Sequence, residues 1–211
     1  MQRRTAAAIV LLAAGSALTI YAGSSYARGW MAQERARTEW DARIAHAAVE
    51  RGRARSRETD LPQEPAIGTP VARLVIPKIS LDDIVFEGVT DAALNGGPGH
   101  LPGSVSPGQT GNSVLSAHRD RHFRRLGELQ IGDTITTYTE QDTTFWRVAG
   151  RKVVTSGAPA LRRESEPVLT LTTCWPIGYL GGAPERLILK AVPITHETPP
   201  GARAFTITDS P

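Results

Sequence analysis

Cysteine is nearly missing from this sequence. Its 211 residues hold one, Cys174, which excludes an intrachain disulfide and any metal centre built on several thiolates. An excess of one charge is missing too. The 24 Lys and Arg against 21 Asp and Glu leave a formal net charge of +3, and arginine concentrates in the first part of the chain. The basic balance is therefore not a nucleic-acid footprint, and no nucleic-acid partner is expected. No internal repeat is visible, and no heptad is sustained, which excludes a solenoid and a coiled coil.

What is present begins with a long apolar run. From Ala6 to Ala27 no charged residue occurs, with Arg3 and Arg4 before the run and Arg28, Arg35, Arg37 and Arg43 after it. A helix of that length spans a bilayer core of ~30 Å at about 1.5 Å per residue. Ser25-Tyr26-Ala27 also has the small-x-small form of a leader-peptide cleavage site, so an anchor and a leader peptide are both readings. The length favours the anchor. Residues 1–28 are thus expected to be an N-terminal transmembrane helix. Residues 29–69 are expected to be an Arg/Ala-rich helical stalk, with Trp40, Ile44 and Ala48 as a thin apolar stripe, ending in a linker that carries Pro62, Pro65 and Pro70. The arginines on both flanks leave the orientation open by charge counting alone.

After Pro70 the texture changes to short strands. Val71–Ile76 and Ile84–Phe86 flank a turn near Ser80 to Asp83. Residues 91–109 read as a Gly/Pro-rich loop opening with a helical turn at Asp91–Leu94. Strands are expected over 112–117, 133–139, 144–154, 168–173 and 186–194, with a turn or short helix over 123–129. Seven or eight short strands with little helix predict an all-β barrel or sandwich over residues 70–195. A polar tail, 196–211, follows.

Three of these strands share one design. Leu169 and Leu171 occupy one face of their strand, and Thr170, Thr172 and Cys174 the other. Leu115 and Ala117 oppose Ser116 and His118. Leu187, Leu189 and Ala191 oppose Arg186 and Lys190. Each strand turns its apolar set one way and a reactive group the other, near a strand end, and antiparallel pairing of the last two strands would bring Cys174 and Arg186 to one rim. The three groups suit acyl transfer. A thiolate is the nucleophile, a histidine protonates a leaving amine and deprotonates an incoming one, and an always-charged guanidinium holds an oxyanion or a carbonyl.

Thr170-Leu171-Thr172-Thr173-Cys174, with Arg186 downstream, resembles the TLxTC strand of the sortases. Ser116-Ala117-His118-Arg119-Asp120 is similar to that family's histidine segment. Gly99-His100-Leu101-Pro102-Gly103-Ser104, then Pro107-Gly108-Gln109 with Gly111-Asn112, and Gly132-Asp133 follow its motif order. The pattern is most similar to class D sortases and their single-copy Gram-negative relatives. The resemblance implies an eight-stranded closed sortase-type β-barrel and a cysteine transpeptidase that cleaves an LPxTG-like sorting signal between Thr and Gly. It implies Cys174 as nucleophile, His118 as acid/base, Arg186 as carbonyl or oxyanion stabiliser, and Ser116 and Thr172 lining the peptide groove. It further implies a thioester passed to an amine acceptor, substrate proteins bearing the signal, and the lipid bilayer as partner of the N-terminal helix. The expected location is the cytoplasmic (inner) membrane, single-pass, with the catalytic domain outside the cytoplasm. Ala117 stands where a glycine commonly precedes the histidine, and Trp175 follows the cysteine directly; both depart from the common pattern. No acidic cluster stands out around the groove, so no Ca²⁺ site is assigned, and no cofactor or metal is expected.

Other readings were available for several residues. His118 and His122 stand four apart, but lack an acidic or third histidine partner for a metal. His100 and His122 read as hydrogen-bonding loop residues, and His46 as a solvated side chain. Asp120 reads as a turn cap, or as the group orienting His118. The Cys-Trp pair is like that of papain-type proteases, yet there the cysteine precedes the histidine and opens a helix. The His-Gly-Cys signature of L,D-transpeptidases is absent. The rival from another class is a non-catalytic, membrane-tethered β-domain binding extended peptides.

Overall fold

The computed structural model describes residues 2–53, 65–157, 163–179 and 181–194. The Pro62 part of the expected linker and the tail over 196–211 lie outside the described residues. Alternation of β-formers along the chain gives eight strands: β1 (Pro70–Ile76), β2 (Leu81–Glu87), β3 (Gly99–His100), β4 (Asn112–Ser116), β5 (Thr134–Tyr138), β6 (Thr143–Thr155), β7 (Val168–Trp175) and β8 (Glu185–Pro193). They close into a barrel in the order β1-β2-β3-β4-β7-β8-β6-β5. The expected eight-stranded barrel is therefore present.

Two pairings are parallel, β2 with β3 and β4 with β7. The second is central to the site. Gly111 immediately precedes β4 with φ 122, a backbone region that favours glycine. Its carbonyl accepts from Val168 N–H at 2.8 Å and its own N–H donates to the Glu166 carbonyl at 3.3 Å. These bonds start β4 and β7 side by side, from Asn112 opposite Val168 to Ser116 opposite Thr172. The barrel interior takes the apolar face of each strand, with Leu115, Ala117, Leu169, Leu171, Leu187, Leu189 and Ala191 in one cluster around Trp146 and Phe123. The Trp146 indole N–H donates to Thr137 Oγ1 at 2.8 Å, which satisfies the one polar atom that burying this ring removes from water.

Two local readings are corrected. The turn sits over Pro77–Ile79 with Ser80 in the left-handed region at φ 53, and β2 already begins at Leu81. Asp82 and Asp83 are strand residues because they have cations to face. Arg73 holds Asp82 by two hydrogen bonds of 2.7 Å, which keeps that carboxyl below its ordinary range; His122 Nδ1 lies 2.8 Å from Asp83. The loop expected over 91–109 contains α2 (Asp91–Gly96), capped by the Thr90 hydroxyl, and the two-residue β3.

The N-terminal region is one continuous helix, α1 (Gln2–Arg53). Its N-terminal part is long and apolar enough to cross a membrane, and Ile9, Val10, Leu11, Leu12, Leu18 and Ile20 are exposed. Where a stalk is expected, α1 is docked on the barrel. Gly29, Gln33, Ala36 and Trp40 are buried along one face, and Ala36, Trp40 and Ile44 pack with Ile84 and Phe86 of β2. The Gln33 amide accepts from Ile84 N–H at 2.8 Å and donates to the Ile84 and Gly96 carbonyls, both at 2.9 Å. It thus pairs part of the β2 edge that β3 leaves uncovered. A side chain at Gly97 would collide with Gln33 Nε2 and the Ile84 carbonyl, so that close approach requires glycine. Gln33→Leu keeps the volume and leaves buried backbone groups unpaired. We expect it to lower the unfolding free energy of the detergent-solubilised chain by about 2–3 kcal/mol, read by thermal and denaturant unfolding. An unchanged stability would mean that the helix merely lies beside the barrel.

Candidate active site

β7 and β8 pair antiparallel with Cys174 directly opposite Arg186, Thr172 opposite Ile188 and Thr170 opposite Lys190. Residues facing each other across a ladder share a side of the sheet. Cys174 and Arg186 therefore stand side by side on the outward face, at the rim where β7 ends and β8 begins. The thiol is free and half-buried. Lys190, further along the same face, pairs with Glu164.

His118 comes to this rim from β4. The parallel register ends at Ser116 opposite Thr172, and two bonds carry the chain on beside β7. Ala117 N–H donates to the Thr172 carbonyl at 3.3 Å, and the Thr173 hydroxyl to the Ala117 carbonyl at 2.7 Å. His118 is the next residue after Ala117, two beyond the end of β4, on the side of β7 that leads toward Cys174. The chain then turns, with the His118 carbonyl accepting from the N–H groups of Arg121 and Phe123 at 3.3 and 3.2 Å. The structure pairs Cys174 with Arg186, and the chain leaving β4 carries His118 along the neighbouring edge of β7.

Ser116 and Thr172 share this outward face. Both are buried, Ser116 at 9% and Thr172 at 2% exposure. Gly99, opposite Ser116 in β3, has no room for a side chain against the Gly88 carbonyl and Leu94 of α2, so this end of the face is closely covered. Thr172 Oγ1 has no hydrogen-bond partner among the described residues. A buried hydroxyl without a partner costs free energy.

Trp175 points the other way. It lies against Gly127, where a side chain would come within 2.9 Å of the ring, and Arg151 stacks on it at 5.5 Å. The indole packs under the barrel core beside the turn over Leu126–Glu128 and is not part of the outward face. Asp120 is exposed and makes no hydrogen bond to His118. His122 is engaged with Asp83 and the segment is not helical, so the spacing of His118 and His122 builds no metal pair.

Two further networks hold the loops, one through Arg119 and one through His100, which hydrogen-bonds as expected but from β3 rather than from a loop. Arg119 donates to the carbonyls of Tyr179 at 2.8 Å and Gly181 at 2.5 Å, tying the segment after His118 to the β7–β8 connection. His100 lies between Glu87 Oε2 at 2.8 Å, Ser104 Oγ at 2.8 Å and the Val105 carbonyl at 3.0 Å, a buried network that fixes the β3–β4 loop. Its residues line a cavity of about 770 Å³ with Arg43, Pro107 and Gln109. Cys174 lies outside that cavity, on the open rim.

Known proteins resemble this chain in sequence and in fold. A family model described as "Sortase domain" matches residues 74–194. Sortase D of Bacillus subtilis (strain 168) is 35% identical over 135 residues, 63% of this chain and 68% of that protein. Among solved structures, the Clostridium perfringens Sortase D5 transpeptidase superposes with a TM-score of 0.65 at 24% identity, covering 78% of this chain and 99% of that one. The catalytic domain of B. anthracis SrtD gives a TM-score of 0.53 at 32% identity, covering 65% and 96%.

Proposed function

We propose a mechanism from one premise: the chain belongs to the sortase family, whose members are cysteine transpeptidases. The Cys174 thiolate attacks the carbonyl carbon of the Thr–Gly bond in an LPxTG-like sorting signal laid along the outward face of β4 and β7. The negative charge that develops on the carbonyl oxygen is held by Arg186, a guanidinium that keeps its proton and presents several donors. His118 donates a proton to the departing glycine amine, and the C–N bond breaks to leave a thioester on Cys174. An amine then enters and gives its proton to His118. Its attack on the thioester forms the new amide and returns the thiolate. Thr172 and Ser116 lie under the groove that takes the signal and shape its floor. The observation that carries this reading is Cys174 directly opposite Arg186 where β7 ends and β8 begins, with β4, which leads into His118, paired to the other side of β7.

The Ala6–Ala27 run of α1 serves as a single membrane span with the barrel on the extracytoplasmic side of the cytoplasmic membrane. The barrel domain over 70–195 carries the chemistry. The non-catalytic peptide-binding reading is not favoured, because it gives a free thiol beside a guanidinium no role.

The direct experiment mixes the detergent-solubilised full chain with an LPxTG-type peptide, with and without a small amine, and weighs the intact protein. A peptide fragment ending in Thr on Cys174, released as the amide when amine is added, is the expected result. An unmodified protein across a panel of related signals, with Cys174 also inert to thiol reagents, would return the binding-domain reading. Arg186→Ala should reduce kcat/KM by on the order of 10²-fold or more, as for a lost oxyanion donor. Full activity in that variant would remove the role assigned to Arg186.

A further inference from the structure

α1 changes character within about two turns. The apolar run ends at Ala27, Tyr26 and Trp30 are exposed, and Arg28 follows. At this level the barrel touches the helix through the segment that follows His118. Arg121 donates to Ser25 Oγ at 2.9 Å and to the Ser25 carbonyl at 3.4 Å, and its guanidinium stacks on the Tyr26 ring at 4.8 Å. If Ala6–Ala27 fills a bilayer core of ~30 Å at about 1.5 Å per residue, Ser25 and Tyr26 stand at the core's edge. The Arg121 guanidinium is then at headgroup depth, and so is the loop that bears it. Exposed aromatic rings with polar tips favour the same level.

The loop is basic. His118-Arg119-Asp120-Arg121-His122-Phe123-Arg124-Arg125 holds four arginines and one carboxylate. Its cations are not equally free. Arg119 is spent on the Tyr179 and Gly181 carbonyls, His122 on Asp83, and Arg125 on Glu128 and the Ile79 carbonyl. Arg121 meets no carboxylate among the described residues, and Arg124 is exposed, with only the Arg121 carbonyl at 3.4 Å. A cavity of about 540 Å³ between helix and loop is lined by Tyr26, Trp30, Arg121 and Arg124; Glu34 and the already paired Asp83 are among its acids.

We propose that this loop docks on the membrane surface from which α1 emerges, with Arg121, Arg124 and Arg28 binding the phosphates of anionic phospholipid headgroups. The proposal rests on the reading of α1 as a membrane anchor. Basic side chains at an anionic surface are each worth about fivefold in binding, and guanidinium groups match phosphate oxygens by paired hydrogen bonds. The His118 carbonyl accepts two hydrogen bonds from within the loop, so the lipid contact bears on the segment that positions the catalytic histidine.

The test uses the full chain with vesicles of phosphatidylcholine alone and of phosphatidylcholine with one third phosphatidylglycerol. Flotation with the neutral vesicles reports on the anchor by itself; a chain that does not float there overturns the anchor reading and the docking with it. With the chain anchored, backbone amide hydrogen exchange over residues 119–126 is compared between the two compositions. We expect exchange to slow about fivefold or more in the anionic vesicles, to return to the neutral level in high salt, and to stay at that level in Arg124→Glu. Arg124 is the chosen site because it is exposed and its hydrogen bond goes to the Arg121 carbonyl rather than to α1, so its replacement leaves the helix–barrel contact in place. Residues 139–142, in the β5–β6 turn, serve as the unaffected reference. Equal exchange in both compositions, or slowing that persists in Arg124→Glu, overturns the docking while leaving the anchor intact.

Discussion

The chain carrying Cys174→Ala forms no covalent adduct with an LPxTG-type peptide and turns none over, while the native chain does both. The expectation is unusually clean because Cys174 is the only cysteine. Any acyl or alkyl mass gained through sulfur belongs to it. The thiol is half-buried at the end of β7, beside Arg186 in the ladder. Loss of the nucleophile removes the only covalent route and leaves no residual path through a second thiol. The substitution costs the fold little, since the side chain faces outward, and its effect on stability should stay within about 1 kcal/mol. Intact mass and circular dichroism on the same sample separate the two effects. An acyl adduct that survives in a folded Cys174→Ala chain would move the chemistry to another residue.

The site was legible because it obeys period 2. Leu169 and Leu171, Leu115 and Ala117, and Leu187 and Leu189 announce the buried face of their strands, and the faces of Cys174, His118 and Arg186 follow by alternation. The barrel core contains these apolar residues. Pairing is less legible, because alternation fixes a face and not a neighbour. The antiparallel β7–β8 contact follows from order in the chain. The parallel contact of β4 with β7 joins residues 56 apart, as in Asn112 with Val168, and its register depends on backbone bonds around Gly111 that no local pattern announces.

Other misses have similar causes. β3 is two residues long and has no period to read. Asp82 and Asp83 resemble turn residues until Arg73, Arg37 and His122 are placed opposite them. Gln33 has no sequence signature, because an amide in an Arg- and Glu-rich helix looks like surface; its role depends on an uncovered β2 edge elsewhere in the chain. Trp40 was visible as part of an apolar stripe, yet a stripe does not identify what covers it. That cover is Ile84 and Phe86, and it turns the expected stalk into a helix fixed to the barrel.

His118→Ala should lower kcat/KM for the peptide amide by roughly 10²–10⁴-fold, the usual worth of a positioned acid or base. The mechanism makes a sharper demand than the size of the loss. An amine leaves poorly unless it is protonated as the C–N bond breaks, and His118 supplies that proton. An ester or thioester at the scissile position has a leaving group that departs without one. The His118→Ala chain should therefore recover much of the acylation rate on such an analogue, measured as the appearance of the acyl-enzyme mass, while Cys174→Ala recovers none. Transfer to an added amine should stay slow in His118→Ala, because the incoming amine must also give up a proton. Equal losses on amide and ester would mean that the histidine acts before bond cleavage, by assisting formation of the thiolate or by holding the rim in place. The pairing of β4 with β7, which ends at Ser116 opposite Thr172 just before His118, accommodates either role, and the ratio of the two substrates tells them apart.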